Sequence, residues 1–391
     1  MRLLKSSPIL ATAFALFAML FGSGNIAFPL GLGRDLGSMA VYGMIGFFIT
    51  AIAVPVLGII AMSLYNGDYR LFLSRIGKIP GAFVIFICLA LMGPFCIIPR
   101  CIALSHLALQ FIMPSLTLLQ FSLFAAVIIF LATYRESGVI GLMSRVLGPI
   151  KFILLSAIIA IGFFASSTVI PCSLSSWTTF AQGLFVGYGT LDLLAVMFFS
   201  QLLLSGLRYD ERGRERTQSS MMRLLVIAGI IGAIMLGVMY AGFVLVASMQ
   251  SGIASCIQAE EGQLLSILAA LLLGSGGGVL ASITMAIACS TTAIALTTVF
   301  ADYLNEQLFK KRSYHGALLI TLAIAVFFAN FGFAGIKALI APVIEILYPA
   351  LIVLALTNIL YKTIRIDCSK FPFYATLGCT VLWRIWPLLT R

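Results

Sequence analysis

Apolar runs of about 20 residues recur eleven times along the 391-residue chain, each long enough to cross a ~30 Å hydrocarbon core as a helix. They lie near 9–33, 37–65, 81–112, 118–134, 148–168, 177–206, 221–248, 279–303, 315–334, 338–361 and 371–389, with a shorter stretch at 262–273 that reads as a surface or re-entrant helix. Only 9% of residues are charged and 61% are hydrophobic, against about a quarter charged in a soluble domain, so a water-soluble globule is excluded. The chain reads as an all-α, polytopic protein of the lipid bilayer.

Sorting the basic residues between alternate loops tests this count. Nineteen of the 24, among them Arg2, Lys5, Arg70, Arg135, Arg145, Arg212 and Lys310, fall on one side, four (Arg34, Lys337, Arg384 and Arg391) on the other, and Arg100 lies within a span. The positive-inside rule makes the first side cytoplasmic, with the amino terminus inside and the carboxyl terminus outside. A cleaved leader would also explain Arg2 and Lys5 before an apolar run, but the apolar character resumes at Ile26 and carries the segment to spanning length. The net charge of +11 is thus a loop property and gives no support to nucleic-acid binding. The eight cysteines show neither C-x-x-C pairs nor ligand spacing, and no metal-binding framework is expected. Only Cys172 and Cys256 fall in loops placed outside, where a bridge is compatible with the topology.

Two spans are interrupted in the same way. Phe21-Gly22-Ser23-Gly24-Asn25 sits inside the first and Val186-Gly187-Tyr188-Gly189-Thr190 inside the sixth. An offset of five spans is odd, so the second copy is inserted upside down relative to the first. Paired breaks in inverted halves point to the midplane site of a secondary transporter. Opening a helix in lipid costs several kcal/mol for each unpaired backbone group, tolerable where a ligand, an ion or neighbouring protein satisfies it. Half-helix amino termini suit a carboxylate and half-helix carboxyl termini an ammonium or Na⁺, so a zwitterionic amino acid fits. Close helix packing is the plainer explanation of any single G-x-G; the pairing favours a site.

The eighth span carries Ala288-Cys289-Ser290-Thr291-Thr292. Its hydroxyls can simply bond their own i−4 carbonyls. With the Ala288 carbonyl, Thr291 and Thr292 also supply three hard oxygens of the kind Na⁺ takes, and two carbonyls from the first break would complete about five. Asp192 follows the second break and is either functional or a cap for the exposed amides. Glu345, one turn before Pro349, reads as a proton carrier or a crevice residue. Arg100, beside Pro99, reads as a carboxylate partner or a snorkelling side chain, and His106 as a packing residue. The Arg208–Arg216 stretch, with Asp210, Glu211 and Glu215, reads as a solvated loop.

The runs Phe21-Gly22-Ser23-Gly24-Asn25-Ile26-Ala27-Phe28-Pro29, Gly93-Pro94-Phe95-Cys96-Ile97-Ile98-Pro99-Arg100, Gly187-Tyr188-Gly189-Thr190-Leu191-Asp192 and Ala288-Cys289-Ser290-Thr291-Thr292 resemble the bacterial branched-chain amino acid:cation symporter family, from the first span to about Leu360. The resemblance implies a LeuT-like fold of five plus five inverted spans with helices 1 and 6 broken. The repeats would occupy 1–168 and 169–361, with 362–391 as an additional helix. It implies import of leucine, isoleucine and valine with Na⁺ across the bacterial cytoplasmic (inner) membrane, no other cofactor and no enzymatic activity. By motif, amides around Ser23, Gly24 and Asn25 would hold the substrate carboxylate, with Phe185, Gly187, Tyr188 and Gly189 flanking the substrate. Carbonyls of Ala18, Phe21 and Ala288 with the hydroxyls of Thr291 and Thr292 would hold Na⁺, while Asp192, Glu345 and Arg100 are left for coupling or gating.

Two features depart from the family pattern. Members usually have twelve spans where eleven are read here, and Glu345 falls in a stretch that is generally apolar. Proton coupling of an apolar amino acid transporter is the alternative. Some relatives of the fold replace the ion with a fifth-span lysine, but Lys151 opens its span and is placed too near the cytoplasmic end, leaving Glu345 or Asp192. An intramembrane aspartyl protease lacks a second aspartate, and no channel filter sequence is present.

Overall fold

The computed structural model describes residues 8–134, 146–165, 167–208, 214–366 and 369–389. Arg2, Lys5, Arg135, Arg145, Asp210, Glu211, Arg212, Cys368 and Arg391 lie outside them.

Among the described residues the chain is helical throughout its spans, and these follow the apolar runs. The first span is two half-helices, Pro8–Leu20 and Ser23–Leu36. The second covers 40–64 and passes through a π-helical segment, Ile49–Ala53. The third is Lys78–Met92 and Ile97–Leu109, the fourth Leu118–Thr133 and the fifth Gly148–Phe163. The sixth is again divided, into Ser176–Tyr188 and Asp192–Leu207. Gln218–Met249, Ser275–Gln307, Tyr314–Ala329, Gly332–Ile364 and Lys370–Leu389 complete eleven spans. The expected short element is the ten-residue helix Leu264–Leu273, which packs on the eighth span, where the Ser282 hydroxyl donates to Ser266 Oγ at 2.9 Å. Cys172 and Cys256 are free thiols, so the bridge that the topology allows is not formed.

The broken helices run through the core, because small residues let neighbouring backbones approach them closely. A Cβ on Gly183 would collide with the Gly43 carbonyl, and one on Gly46 with the Phe180 carbonyl, so the second span crosses the first half of the sixth at backbone contact. There the Thr50 hydroxyl donates to the Leu184 carbonyl at 3.0 Å. Gly33 likewise admits the Val244 carbonyl of the seventh span to the second half of the first. The apolar faces left exposed, such as Leu123, Phe124, Val127 and Leu131 on the fourth span, are those that lipid would cover.

Candidate functional site

Three breaks, not two, converge at the centre. The first helix stops at Leu20 and restarts at Ser23; only a glycine fits at position 22, because a Cβ there would lie 2.7–2.9 Å from three atoms of Thr292. In the sixth span the break runs through Gly189 to Leu191, and Leu191 is held in the left-handed region at φ 61°, a conformation that costs a non-glycine residue about 1–2 kcal/mol. The third span opens between Met92 and Ile97. Its sequence signal is the Gly93-Pro94 dipeptide within an apolar run, which hydropathy alone does not mark as an interruption. It sets Arg100 in the first turns of a fresh half-helix, next to the other two breaks.

Asp192 is the first helical residue after the sixth-span break and is 1% exposed. Instead of capping its own amides, its carboxylate accepts from Asn25 Nδ2, 2.9 Å to Oδ1 and 2.8 Å to Oδ2, and from the Tyr240 hydroxyl at 2.9 Å. Asn25 also donates to Tyr240 and receives the Gly22 amide on Oδ1. The amide of Leu193 is satisfied by the Tyr348 hydroxyl of the tenth span, at 3.1 Å. Tyr240 and Tyr348 are beyond sequence reasoning, since a tyrosine inside an apolar span carries no mark of what its hydroxyl meets.

The oxygens expected around Na⁺ do assemble, but around an ammonium group. Lys151 Nζ donates to the carbonyls of Ala18 at 2.9 Å and Phe21 at 2.6 Å and to Thr291 Oγ1 at 3.0 Å. Thr291 in turn donates to the carbonyls of Ala288, at 2.7 Å, and Ala18, at 3.1 Å. Thr292 Oγ1 lies beside this group, buried and without a hydrogen-bond partner among the described residues. Lys151 itself is fully buried, its Nζ 5.7 Å from the ring centres of both Phe17 and Phe21. This corrects the placement of Lys151 near the cytoplasmic end. Its flexible four-carbon stem carries the charge to the first break instead of out to the interface.

Arg100, 2% exposed, pairs with no carboxylate among the described residues. Its Nε donates to Ser23 Oγ at 3.1 Å and its Nη1 to the Gly189 carbonyl at 2.9 Å, so it joins the first break to the sixth. Two cavities meet at this side chain. One is a vestibule of about 200 Å³, lined by Phe28, Cys96, Phe185, Val186, Tyr188, Gly189, Ile340, Ala341 and Ile344, with Lys337 and Glu345. The other is a central void of about 10 Å³, roughly the room of one water, bounded by Ser23, Gly24, Asn25, Asp192 and Thr292. Among the described residues Arg100 alone borders both.

Of the expected substrate residues, Phe185, Tyr188 and Gly189 line the vestibule, and Ser23, Gly24 and Asn25 line the void. Gly187 lines neither. A Cβ on it would strike Thr50 Oγ1, so it is a packing glycine at the second span. Glu345 lies at the vestibule wall, 3.3 Å from Arg384 of the eleventh span. The eleventh span also stacks Trp383 on Phe185, with the ring centres 6.1 Å apart. His106 is buried, and its Nε2–H donates to the Leu116 carbonyl at 2.7 Å. No cluster of metal-ligating His, Cys, Asp or Glu occurs among the described residues.

Comparison with known proteins bears on the family and the fold. The family model described as branched-chain amino acid transport protein matches residues 5–390. The branched-chain amino acid permease BraB of Bacillus subtilis is 27% identical over 360 residues, covering 90% of this chain and 80% of its own. The Pseudomonas aeruginosa branched-chain amino acid transport system 3 carrier protein is 28% identical, covering 90% and 81%, and the Escherichia coli permease BrnQ 27%, covering 91% and 81%. Among solved structures, the nucleobase-cation-symport-1 family transporter Mhp1, closed with bromovinylhydantoin bound, superposes with a TM-score of 0.63 at 15% identity, covering 96% of this chain and 83% of that one. MhsT in complex with L-phenylalanine gives 0.55 at 15%, covering 95% and 98%. Both likenesses bear on the fold, a LeuT-like inverted repeat with broken first and sixth helices.

Proposed function

The chain belongs to the branched-chain amino acid transport protein family, and from that premise we propose that it imports leucine, isoleucine and valine across a bacterial cytoplasmic membrane by alternating access, coupled to protons through Lys151. The amino terminus is cytoplasmic in this reading, so the Lys337 end of the vestibule faces outside. The observation that carries the coupling is the Lys151 ammonium, 2.6–3.0 Å from the Ala18, Phe21 and Thr291 oxygens. A cation fixed there ties the first break to the fifth and eighth spans. Protonation of one amine thus governs whether the broken helix is held against the remainder of the bundle, which rocks around the site. A sodium ion would need the same oxygens, and the ammonium both fills their centre and repels a second positive charge.

The vestibule supplies the substrate preference. Phe28, Phe185, Val186, Ile340 and Ile344 offer an apolar wall, and burial there is worth about 25 cal/mol per Å². One methylene changes affinity by only about 1–3 kcal/mol in such a pocket, so Leu, Ile and Val are poorly distinguished.

The test is uptake of labelled leucine into proteoliposomes under an inward H⁺ gradient, an inward Na⁺ gradient, or neither. Accumulation driven by protons, with Lys151→Gln retaining leucine exchange but losing accumulation, supports the reading. Accumulation driven by sodium alone returns the coupling to Thr291 and Thr292 as ion ligands, and transport of no branched-chain amino acid in any arm overturns the function.

A further inference from the structure

Arg100 is a charge for which the protein supplies no counter-ion within ion-pair distance among the described residues. A guanidinium has five N–H donors in a rigid fork suited to carboxylates, and two of them are engaged, by Ser23 Oγ and the Gly189 carbonyl. The Asp192 carboxylate is already committed to Asn25 and Tyr240. A buried charge without an opposite partner is costly, and it stands where an incoming solute arrives, at the base of the vestibule and as the partition before the central void. The Phe28 ring continues the approach: Lys337 lies 5.3 Å from its centre nearer the mouth and Arg100 5.1 Å from it at the base. Lys337 is paired with Glu261 at 2.5 Å, leaving Arg100 as the vestibule cation without a carboxylate partner among the described residues.

We propose that Arg100 is the receptor for the α-carboxylate of the transported amino acid, with the apolar side chain of the substrate lodged between Phe28, Tyr188 and Ile344. This rests on the reading of the chain as an amino acid carrier and adds the group that selects for the carboxylate. The existing partners of Arg100 belong to the two opposed breaks, so a carboxylate taken on its free donors is held by the same guanidinium that joins Ser23 to Gly189. Substrate binding is thereby felt at both broken helices. Gly24 fits this role, because a Cβ there would lie 2.6 Å from Arg100 Nη2 and hold the guanidinium away from its seat.

The experiment compares leucine with leucinamide, which keeps the side chain and the ammonium but lacks the carboxylate, by ligand-induced thermal stabilisation of the purified native protein and of Arg100→Gln and Arg100→Lys. Apparent affinities are read from titrations into the millimolar range. The native protein is expected to prefer leucine by roughly 10- to 100-fold, the range of a hydrogen bond to a charged group. In Arg100→Gln leucine falls to the level of leucinamide while leucinamide itself stays within about threefold; Arg100→Lys, a point charge without the fork, lies between. If both ligands weaken by the same factor, or if leucine keeps its native affinity in Arg100→Gln, Arg100 only positions the breaks and the proposal fails. Where Arg100→Gln does not fold, an unchanged ratio of the two ligands in Arg100→Lys overturns the proposal equally. A folded native protein that binds no leucine removes the carrier reading itself, and this proposal with it.

Discussion

The side-chain amide of Asn25 donates to both carboxylate oxygens of Asp192, at 2.9 and 2.8 Å, across 167 residues of sequence. One residue follows the break in the first span and the other the break in the sixth, so this contact clasps the two broken helices directly. Tyr240 closes it from the seventh span. Replacing Asn25 by Ala strands a buried carboxylate with one partner, which costs about 1–3 kcal/mol. Asn25→Ala is therefore expected to unfold at lower temperature in detergent, and to lose leucine uptake, while Asp192→Asn, which removes the charge along with one acceptor, destabilises less. Equal loss of stability in the two variants would show that the hydrogen bonds, and not the stranded charge, set the cost.

Lys151 predicts a change of ion dependence. Shortening it to Ala leaves the Ala18 and Phe21 carbonyls and the Thr291 hydroxyl converging on an emptied position, with the Thr292 hydroxyl beside them. Those are hard oxygen donors of the kind an alkali cation takes. Lys151→Ala is expected to bind leucine more tightly in sodium chloride than in choline chloride, where the native protein shows no difference. The check is thermal stabilisation by leucine in the two salts.

Eleven spans are legible because length in lipid is dictated by the thickness of the hydrocarbon, and the breaks at Gly22 and Gly189 because glycine pairs punctuate otherwise continuous runs. The site is legible only as far as the backbone carries it. The sodium ligands are placed by their positions on helices, and Ala18, Phe21 and Thr291 do meet. What fills the space between them depends on where a flexible side chain ends, and position along a span does not give that for Lys151. Gly187 and Gly189 look alike in sequence, yet one faces Thr50 of the second span and the other the vestibule. The break at Gly93 is hidden because Gly-Pro also occurs at ordinary kinks, and it is this break that delivers Arg100.

Gly22 has no room for a methyl group. The added Cβ would sit 2.7 Å from Thr292 Oγ1 and 2.9 Å from both Cβ and Cγ2 of the same residue. These belong to the eighth span, so Gly22→Ala is expected to push the first break away from the cation position and to cut leucine uptake about tenfold, the effect of a one-to-two kcal/mol displacement. Thr292→Ala removes two of the three colliding atoms. The double variant Gly22→Ala, Thr292→Ala should then transport better than Gly22→Ala alone, a non-additivity expected only of side chains in contact. Uptake assays on the two single variants and the double variant check it; strict additivity would mean that the glycine is needed for backbone freedom instead.

Glu345 is expected to matter far less than an acidic residue in an apolar stretch suggests. Its neighbour is Arg384, at 3.3 Å, and both side chains retain solvent contact, 28% and 45% exposed. An ion pair of that kind contributes about 0–1 kcal/mol. It joins the tenth span to the eleventh at the wall of the vestibule, whereas Lys151 and Asp192 make their hydrogen bonds at the breaks themselves. Glu345→Gln should leave proton-driven leucine accumulation within about twofold of native, with the same dependence on external pH. Loss of the pH dependence in this variant, with leucine exchange retained, would move the coupling role from Lys151 to the vestibule wall.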